Sequence, residues 1–175
     1  SKYPNLHLLQ KQKEGLGWAY IRGMQYAMSQ LGADAVVEMD ADMSHDPKYI
    51  PPMLKELKNA DMVLGSRQVK DGKEIGRSRI RRIITHLANF YIRVMLGLNV
   101  KDCNSGFRCF KREVLEKISL EKLESKGPAI VQEVLFKSHL KGFKIKEIPI
   151  TFIERTKGKS KLGIAQLAAG YFTVL

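Results

Sequence analysis

A segment in the first half of the chain limits the fold more than any other part of the sequence. Two short apolar runs, residues 33–39 and 61–65, flank a stretch that begins with Asp46-Pro47. An aspartate followed by proline is typical of a helix start, because proline fits the first helical position. We therefore predict a strand, a helix ending near residue 59 and a second strand. This order indicates a right-handed crossover between parallel strands, and so an α/β sheet.

Hydrophobic periodicity predicts further helices and strands. Apolar residues three and four apart indicate a helix, and alternating apolar residues indicate a strand with one solvated face. The predicted helices are 16–31, 79–96, 112–118 and 128–140, and the predicted strands are 107–110 and 143–152. Residues 68–78 are polar and contain glycine, which predicts a mobile loop. The apolar stripe of helix 79–96 is wide, so we expect it to pack in the core or against another apolar surface.

The charged residues are unevenly distributed along the chain. Of the 175 residues, 44% are hydrophobic and 27% are charged, as in one soluble globular domain, and the net charge is +12. Residues 1–62 carry 7 basic and 8 acidic side chains, whereas residues 63–175 carry 23 basic and 10 acidic ones. A strongly basic surface implies nucleic acid, an anionic membrane or a phosphorylated substrate as partner. Segregated signs favour a site where carboxylates hold a cation and basic groups hold phosphates.

Asp40 and Asp42 lie at the carboxyl end of the first predicted strand, where open α/β sheets bind ligands. Two carboxylates there, with Ser44 just beyond, suit a divalent metal that bridges a diphosphate. An ordinary acidic turn is the alternative, because aspartate is common in turns. A phosphatase-type aspartate nucleophile is disfavoured, since it needs later carboxylates and no aspartate follows Asp102.

Basic residues cluster after the second predicted strand. Arg67 ends that strand and could hold a phosphate through two parallel N–H bonds, or form a surface salt bridge. Four arginines, at positions 77, 79, 81 and 82, surround the start of the next helix. The helix dipole disfavours cations there, so a bound anion explains them better than a solvated helix end. Residues 156–161 form a basic loop that either closes over an anion or is simply solvated.

Taken together, these residues resemble the polyprenol-phosphate mannosyltransferases of glycosyltransferase family 2. The matching stretches are Lys13 to Gly17, Met39 to Pro47, Gly65 to Arg67, Arg79 to Arg82 with Ala88-Asn89, Asp102 with Ser105 to Arg108, and Glu147 to Ile150 with Arg155 and Gly158 to Leu162. They cover nearly the whole chain, and the ordered set is far more specific than any single motif.

The resemblance implies a GT-A fold, which is a Rossmann-like α/β domain with a mostly parallel sheet and helices on both faces. It also implies a nucleotide sugar donor, GDP-mannose, a polyprenyl phosphate acceptor in the membrane and an Mg or Mn ion. A family 2 transferase that uses UDP-glucose or another donor is the alternative, as is a non-catalytic fragment. A nucleic-acid-binding domain would interleave aromatic residues with its basic stretches, and residues 77–82 and 155–161 contain none, so no nucleic acid partner is expected.

The resemblance also assigns roles to individual residues. Asp40 and Asp42 resemble catalytic and donor-binding carboxylates, and Asp42 and Ser44 resemble metal ligands, although many relatives have glutamine at the position of Ser44. Lys13 and Gly15 resemble further donor-binding positions.

The acceptor phosphate is expected to contact Arg67, Arg81, Thr85 and Arg155, with Arg67 also catalytic. Relatives often have serine at the position of Thr85, so the hydroxyl is kept. The implied reaction is a single inverting displacement that needs no strong general base, because a phosphate monoester is largely ionised near pH 7.

Both ends of the chain carry further expectations. Relatives begin with a strand and loop of the type Pro-x-Tyr-Asn-Glu, which nothing before Lys13 matches, so the catalytic domain, residues 1–161, is expected to be incomplete at its N-terminus. Residues 162–175 are almost uncharged and helical in pattern, and as a helix they would rise about 21 Å, short of the roughly 30 Å hydrocarbon core. We expect an interfacial helix or the start of a membrane anchor there, and a location at the cytoplasmic face of a membrane.

Overall fold

The computed structural model describes residues 4–10, 12, 14–125 and 127–154. Its helices are α1 (Leu16–Ser29), α2 (Ile50–Glu56), α3 (Arg79–Leu96), α4 (Arg112–Lys117) and α5 (Ile130–Leu140). Its strands are β1 (Ala35–Glu38), β2 (Met62–Ser66), β3 (Lys73–Ile75), β4 (Arg108–Lys111), β5 (Ile145–Pro149) and β6 (Thr151–Ile153). Short 3-10 turns, Pro47–Tyr49 and Leu120–Lys122, precede α2 and follow α4. Asp46 caps the first of these turns, as predicted, by accepting the amide of Lys48.

The main sheet has four strands in the order β1-β4-β2-β5. β2 and β5 are parallel, but β4 lies between β1 and β2 and runs antiparallel to both. β1 and β2 therefore point the same way, as the predicted crossover requires, without being neighbours. The α/β class is confirmed. The sheet is mixed rather than mostly parallel in the described part of the chain, because β4 inserts into the crossover.

A second sheet consists of β3 and β6 in parallel. β3 lies inside the segment predicted as a loop, and β6 is the end of the segment predicted as one strand over 143–152. The chain leaves the main sheet at Ile150, which is buried. The amide of Ile150 donates to the carbonyl of Ser66, and its own carbonyl accepts from the amide of Lys73. These bonds hold the small sheet against the carboxyl end of β2.

Apolar side chains cover both faces of the main sheet. Met62 and Leu64 of β2 face the larger core cluster, which includes residues of α1, α4 and α5. Val63 faces the opposite way, into a smaller cluster with Met53 of α2 and Phe107. This alternation is what a strand buried on both faces requires, and it confirms helices on both faces of the sheet.

Helix α3 has the predicted bounds, but its apolar stripe does not pack in the core. Ser78 caps its first turn, and Gly97 ends it in the left-handed conformation at φ 63°. Asn89 and Ile92 are its buried residues. The opposite face exposes a stripe of large apolar side chains: Ile80, Ile83, Leu87, Phe90, Tyr91, Val94 and Met95. The prediction that this stripe packs in the core is therefore wrong for the residues that the structure describes. Its packing against another apolar surface stays a prediction.

Candidate active site

The loop after β1 carries the predicted carboxylates. Asp42 is exposed, and its Oδ1 accepts the amide of Ser44 at 3.1 Å. Met43 between them adopts the left-handed conformation at φ 66°, which is uncommon for a residue with a side chain. Asp40 is half-buried, and its Oδ1 accepts the Tyr20 hydroxyl at 3.5 Å. Both carboxylates thus lie on one tight turn at the end of a strand.

The residues of this loop fit a divalent cation. Asp40 and Asp42 offer hard carboxylate oxygens, and the buried Ser44 hydroxyl has no hydrogen-bond partner among the described residues. A buried hydroxyl without a partner is costly, so a ligand would relieve it. Within the same residues there is no group of three or more His, Cys, Asp or Glu side chains that could hold a metal. A cation here would therefore complete its shell with water and diphosphate oxygens, as Mg²⁺ usually does.

His45 is buried directly behind this loop. Its Nδ1 accepts the backbone amide of Asp40 at 3.0 Å. Its ring stacks on Phe107, with centroids 5.0 Å apart, and meets the edge of Phe152 at 5.7 Å. Burial lowers the pKa of His45, which outweighs the opposing effect of the Asp40 carboxylate. The imidazole is therefore neutral near pH 7, with its proton on Nε2.

Arg67, at the end of β2, is bound to a carboxylate within the chain. Its Nε and one terminal nitrogen each donate to Asp102 at 2.7 Å, and its amide donates to the same carboxylate at 3.0 Å. Burial opposes both charges, but the attraction and these bonds keep the pKa of Asp102 below, and that of Arg67 above, the ordinary value. The pair is therefore ionised. The predicted contact of Arg67 with phosphate stays a prediction.

Further arginines surround Glu74 on β3. Arg77 donates to Glu74 at 3.0 Å and to the Thr85 hydroxyl at 3.2 Å. Arg67 Nε lies 3.7 Å from the same Glu74 oxygen, and Arg82 Nε lies 4.0 Å from the other. The Glu74 carboxylate is thus surrounded by a basic cluster that reaches the N-terminus of α3.

Phe152 joins the acidic loop to this basic cluster. Its ring contacts His45, and the guanidinium carbons of Arg67 and Arg77 lie 5.2 and 5.9 Å from its centroid. Asp40 is close enough to Arg67 to raise the pKa of that guanidinium. The structure therefore brings a carboxylate loop and an arginine cluster to one place, at the carboxyl ends of β1 and β2.

The family model for "Glycosyl transferase family 2" matches residues 1–119. The chain belongs to this family. It is 41% identical over 160 residues to an undecaprenyl-phosphate mannosyltransferase of Micrococcus luteus, covering 91% of this chain and 65% of that protein. It is 36% identical over 171 residues to a polyprenol monophosphomannose synthase of Mycolicibacterium smegmatis, covering 97% and 64%. The chain spans just under two thirds of the length of these curated relatives.

Solved structures of the same fold include glucosyl-3-phosphoglycerate synthase from Mycobacterium tuberculosis. Its complex with Mn²⁺, uridine diphosphate and glucosyl-3-phosphoglycerate superposes with a TM-score of 0.60 at 20% identity, covering 94% of this chain and 54% of that one. Another crystal structure of the enzyme gives 0.59 at 21% identity, covering 98% and 57%. At this identity the likeness shows the fold alone, and it confirms the predicted GT-A class.

The predicted site residues that the structure describes fall into three groups. Asp40, Asp42, Ser44 and Arg67 lie around His45 and Phe152. Arg81 and Thr85 lie one helical turn apart on α3, where Arg81 pairs with Glu154 and Thr85 accepts from Arg77. Gly15 is the N-cap of α1, with φ 107°. Lys13, Arg155 and the basic loop 156–161 lie outside the described residues.

Sequence reasoning missed three members of this site. Phe152 was assigned to an alternating strand, and its period gave no sign of a contact with arginines. Glu74 lay in a segment interpreted as a loop. Asp102 was noted only as part of the family pattern, and nothing local links it to Arg67, 35 positions away.

Proposed function

We propose that the protein transfers a mannosyl group from GDP-mannose to a polyprenyl phosphate, with inversion at the anomeric carbon. One observation carries the proposal: an acidic loop and an arginine cluster meet around His45 and Phe152. The curated relatives at 41% and 36% identity are named, respectively, for mannosyl transfer to undecaprenyl phosphate and for polyprenol monophosphomannose synthesis, which supports this acceptor and sugar.

The donor diphosphate is proposed to bind at the acidic loop. Asp42 and Ser44 would hold the metal, and Asp40 would fix the loop and contact the donor. When bound, Mg²⁺ or Mn²⁺ supplies positive charge that stabilises the leaving diphosphate. Without such a cation, the two carboxylates would repel the donor.

The acceptor phosphate is proposed to bind at the arginine cluster. Arg81 is half exposed and paired with Glu154 at the surface, so exchanging that partner for a phosphate costs little. Thr85 adds a hydroxyl one turn away. Arg67 is held by Asp102, so it contributes charge in a fixed orientation rather than a freely moving side chain.

The reaction follows from this arrangement. An acceptor phosphate oxygen attacks the anomeric carbon and forms the new C–O bond, while the bond to the donor's diphosphate oxygen breaks and GDP takes the electron pair. Because the phosphate monoester is already ionised, no side chain has to remove a proton. Catalysis then consists of aligning two anions and neutralising their repulsion.

We further propose that the protein works at the cytoplasmic face of a membrane, since the acceptor's lipid stays in the bilayer. The apolar stripe of α3 supports this, because basic residues, including Arg79 and Arg82, lie at its N-terminal end. A basic amphipathic helix binds the interface of anionic bilayers. Among the described residues, no helix has the length and apolar composition to cross a membrane. The proposed anchoring segment, residues 162–175, lies outside them.

The direct test is transfer of radiolabelled sugar to a short polyprenyl phosphate, from GDP-mannose, UDP-glucose and other donors, with and without Mn²⁺. We expect product from GDP-mannose that depends on the metal. Asp42→Asn should abolish that dependence together with turnover, whereas Asp34→Asn, a matched exposed aspartate, should keep both. Product from UDP-glucose alone would replace the proposed donor, and no product from any donor with folded protein would overturn the proposal.

A further inference from the structure

His45 is a buried polar side chain to which the proposed reaction assigns no step. It is 5% exposed and lies three residues after Asp42. Its ring is fixed between Phe107 and Phe152, so the direction of Nδ1 is set by packing. That nitrogen accepts the amide of Asp40 at 3.0 Å.

The amide of Asp40 needs this acceptor because the sheet does not supply one. The last pair of the ladder between β1 and β4 is Glu38 with Arg108, two residues before Asp40. A half-buried amide without a partner would be costly. The hydrogen bond from Asp40 to His45 therefore closes a loop of six residues, 40–45, that contains both predicted donor carboxylates.

The loop is also held at its far end. The carbonyl of Ser44 accepts the amide of Ile153 at 3.3 Å, and Asp42 accepts the amide of Ser44. Between these bonds, Met43 occupies the left-handed conformation, which residues with side chains adopt at a cost. A strained turn keeps one shape only when contacts on both sides fix it.

We propose that His45 is a positioning residue for cation and diphosphate binding, whose unprotonated Nδ1 holds the Asp40 amide and thereby fixes the Asp40 and Asp42 carboxylates. The stacked rings determine where the imidazole lies, and the acceptor nitrogen determines where the loop lies. The cation and diphosphate in this statement rest on the proposed function. The contact between His45 and Asp40 does not.

Three variants of the protein distinguish the effect of the hydrogen-bond acceptor from that of the aromatic ring. His45→Phe keeps the stack and removes the acceptor. His45→Asn loses the ring but places an amide oxygen near the position of Nδ1, whereas the oxygen of His45→Gln reaches the position of Nε2. His139→Phe, on α5, is the matched control.

Mn²⁺ binding is measured by calorimetry, and thermal unfolding is followed in parallel. We expect the dissociation constant for Mn²⁺ to rise about tenfold in the Phe and Gln variants, as for the loss of one hydrogen bond, and less than about threefold in the Asn variant. A purely structural role would instead make the Asn and Gln variants, which both lack the ring, worse than the Phe variant. Wild-type affinity in His45→Phe, or equal losses in Asn and Phe, would overturn the proposal.

Nitrogen-15 NMR of the metal-free wild type tests the contact without any ligand. We expect an unprotonated Nδ1 and a protonated Nε2 on His45, and slow hydrogen exchange of the Asp40 amide that becomes fast in His45→Phe. A proton on Nδ1 would overturn the proposal. If the expected tautomer is found and Mn²⁺ binds, but no donor gives product, the proposed function fails while the role of His45 stands.

Discussion

Two arginine–carboxylate pairs lie in or next to the main sheet and differ in their surroundings. Arg108 on β4 is fully buried and donates to both oxygens of Glu38 on β1, at 2.6 and 2.8 Å. Arg67 after β2 makes a similar two-point contact with Asp102. The first pair is enclosed by the core. The second continues through Glu74 to arginines at the protein surface.

Both pairs are buried, so it is the charged groups around each pair, more than its burial or residue type, that decide what the pair can do. An enclosed pair adds little net stability, but it destabilises the fold strongly when one partner is removed. A pair that continues to the surface keeps part of its charge available to a ligand.

Arg108→Met should have the largest effect, lowering the free energy of unfolding by about 3–5 kcal/mol, because Glu38 is left buried without a partner. Urea unfolding followed by circular dichroism measures the change. The double variant Glu38→Leu/Arg108→Met should recover part of the loss, since it leaves no unpaired charge. If the single variant is as stable as the wild type, the pair is not the structural contact described here.

Asp102→Asn should lower the free energy of unfolding by about 2–3 kcal/mol at pH 7, since a neutral amide replaces an ionised acceptor of three hydrogen bonds. Its pH dependence gives a second test. Because the pKa of Asp102 is lowered by folding, its contribution is complete above the ordinary value near 3.9 and is lost as the pH falls through the lowered one. The difference in free energy of unfolding between wild type and variant should therefore become smaller below about pH 4. A constant gap would contradict an ionised Asp102.

Arg81→Ala should change the free energy of unfolding by less than about 1 kcal/mol, because its pair with Glu154 is at the surface. If Arg81 holds the acceptor phosphate, kcat/KM for the polyprenyl phosphate should fall about tenfold or more. Lys117→Ala removes an exposed ion pair elsewhere and serves as the control. Equal transfer rates in the two variants would remove Arg81 from the acceptor site.

Leu87→Ser should have the smallest effect on stability, within about 0.5 kcal/mol, because Leu87 is exposed. Its effect should appear in binding to vesicles that contain anionic lipid, weakened about tenfold through lost apolar burial. Sedimentation of the protein with vesicles measures this. Leu140→Ser, an equally exposed leucine on α5, should bind like the wild type. The same vesicle binding in both variants would argue against α3 as the membrane face.

Local sequence patterns predicted the elements well. Apolar periodicity gave α3 over residues 79–96, and the apolar run before Asp40 gave β1 and the acidic loop at its end. They could not predict that β4 pairs with both β1 and β2. Glu38 and Arg108 are 70 residues apart, and hydrophobic periodicity does not indicate which strands pair.

The charged site shows the same limit. The sequence predicted that acidic and basic residues would meet, but not which arginines would already be paired. Arg67 with Asp102, and Arg77 with Glu74, depend on three-dimensional proximity created by β3 and β6. The stripe on α3 was recognised as unusually wide, but its exposure followed only from where the helix lies.

Strand β6 is three residues long, yet it contacts both the acidic loop and the arginine cluster. The amide of Thr151 donates to the Tyr49 hydroxyl, Phe152 lies among His45, Arg67 and Arg77, and the amide of Ile153 donates to the carbonyl of Ser44. A substitution in β6 would therefore affect the acidic loop and the arginine cluster at the same time. Substitutions in β6 should thus change affinity for the proposed sugar nucleotide donor and for the proposed lipid acceptor together, so that preferences for the two evolve as one trait.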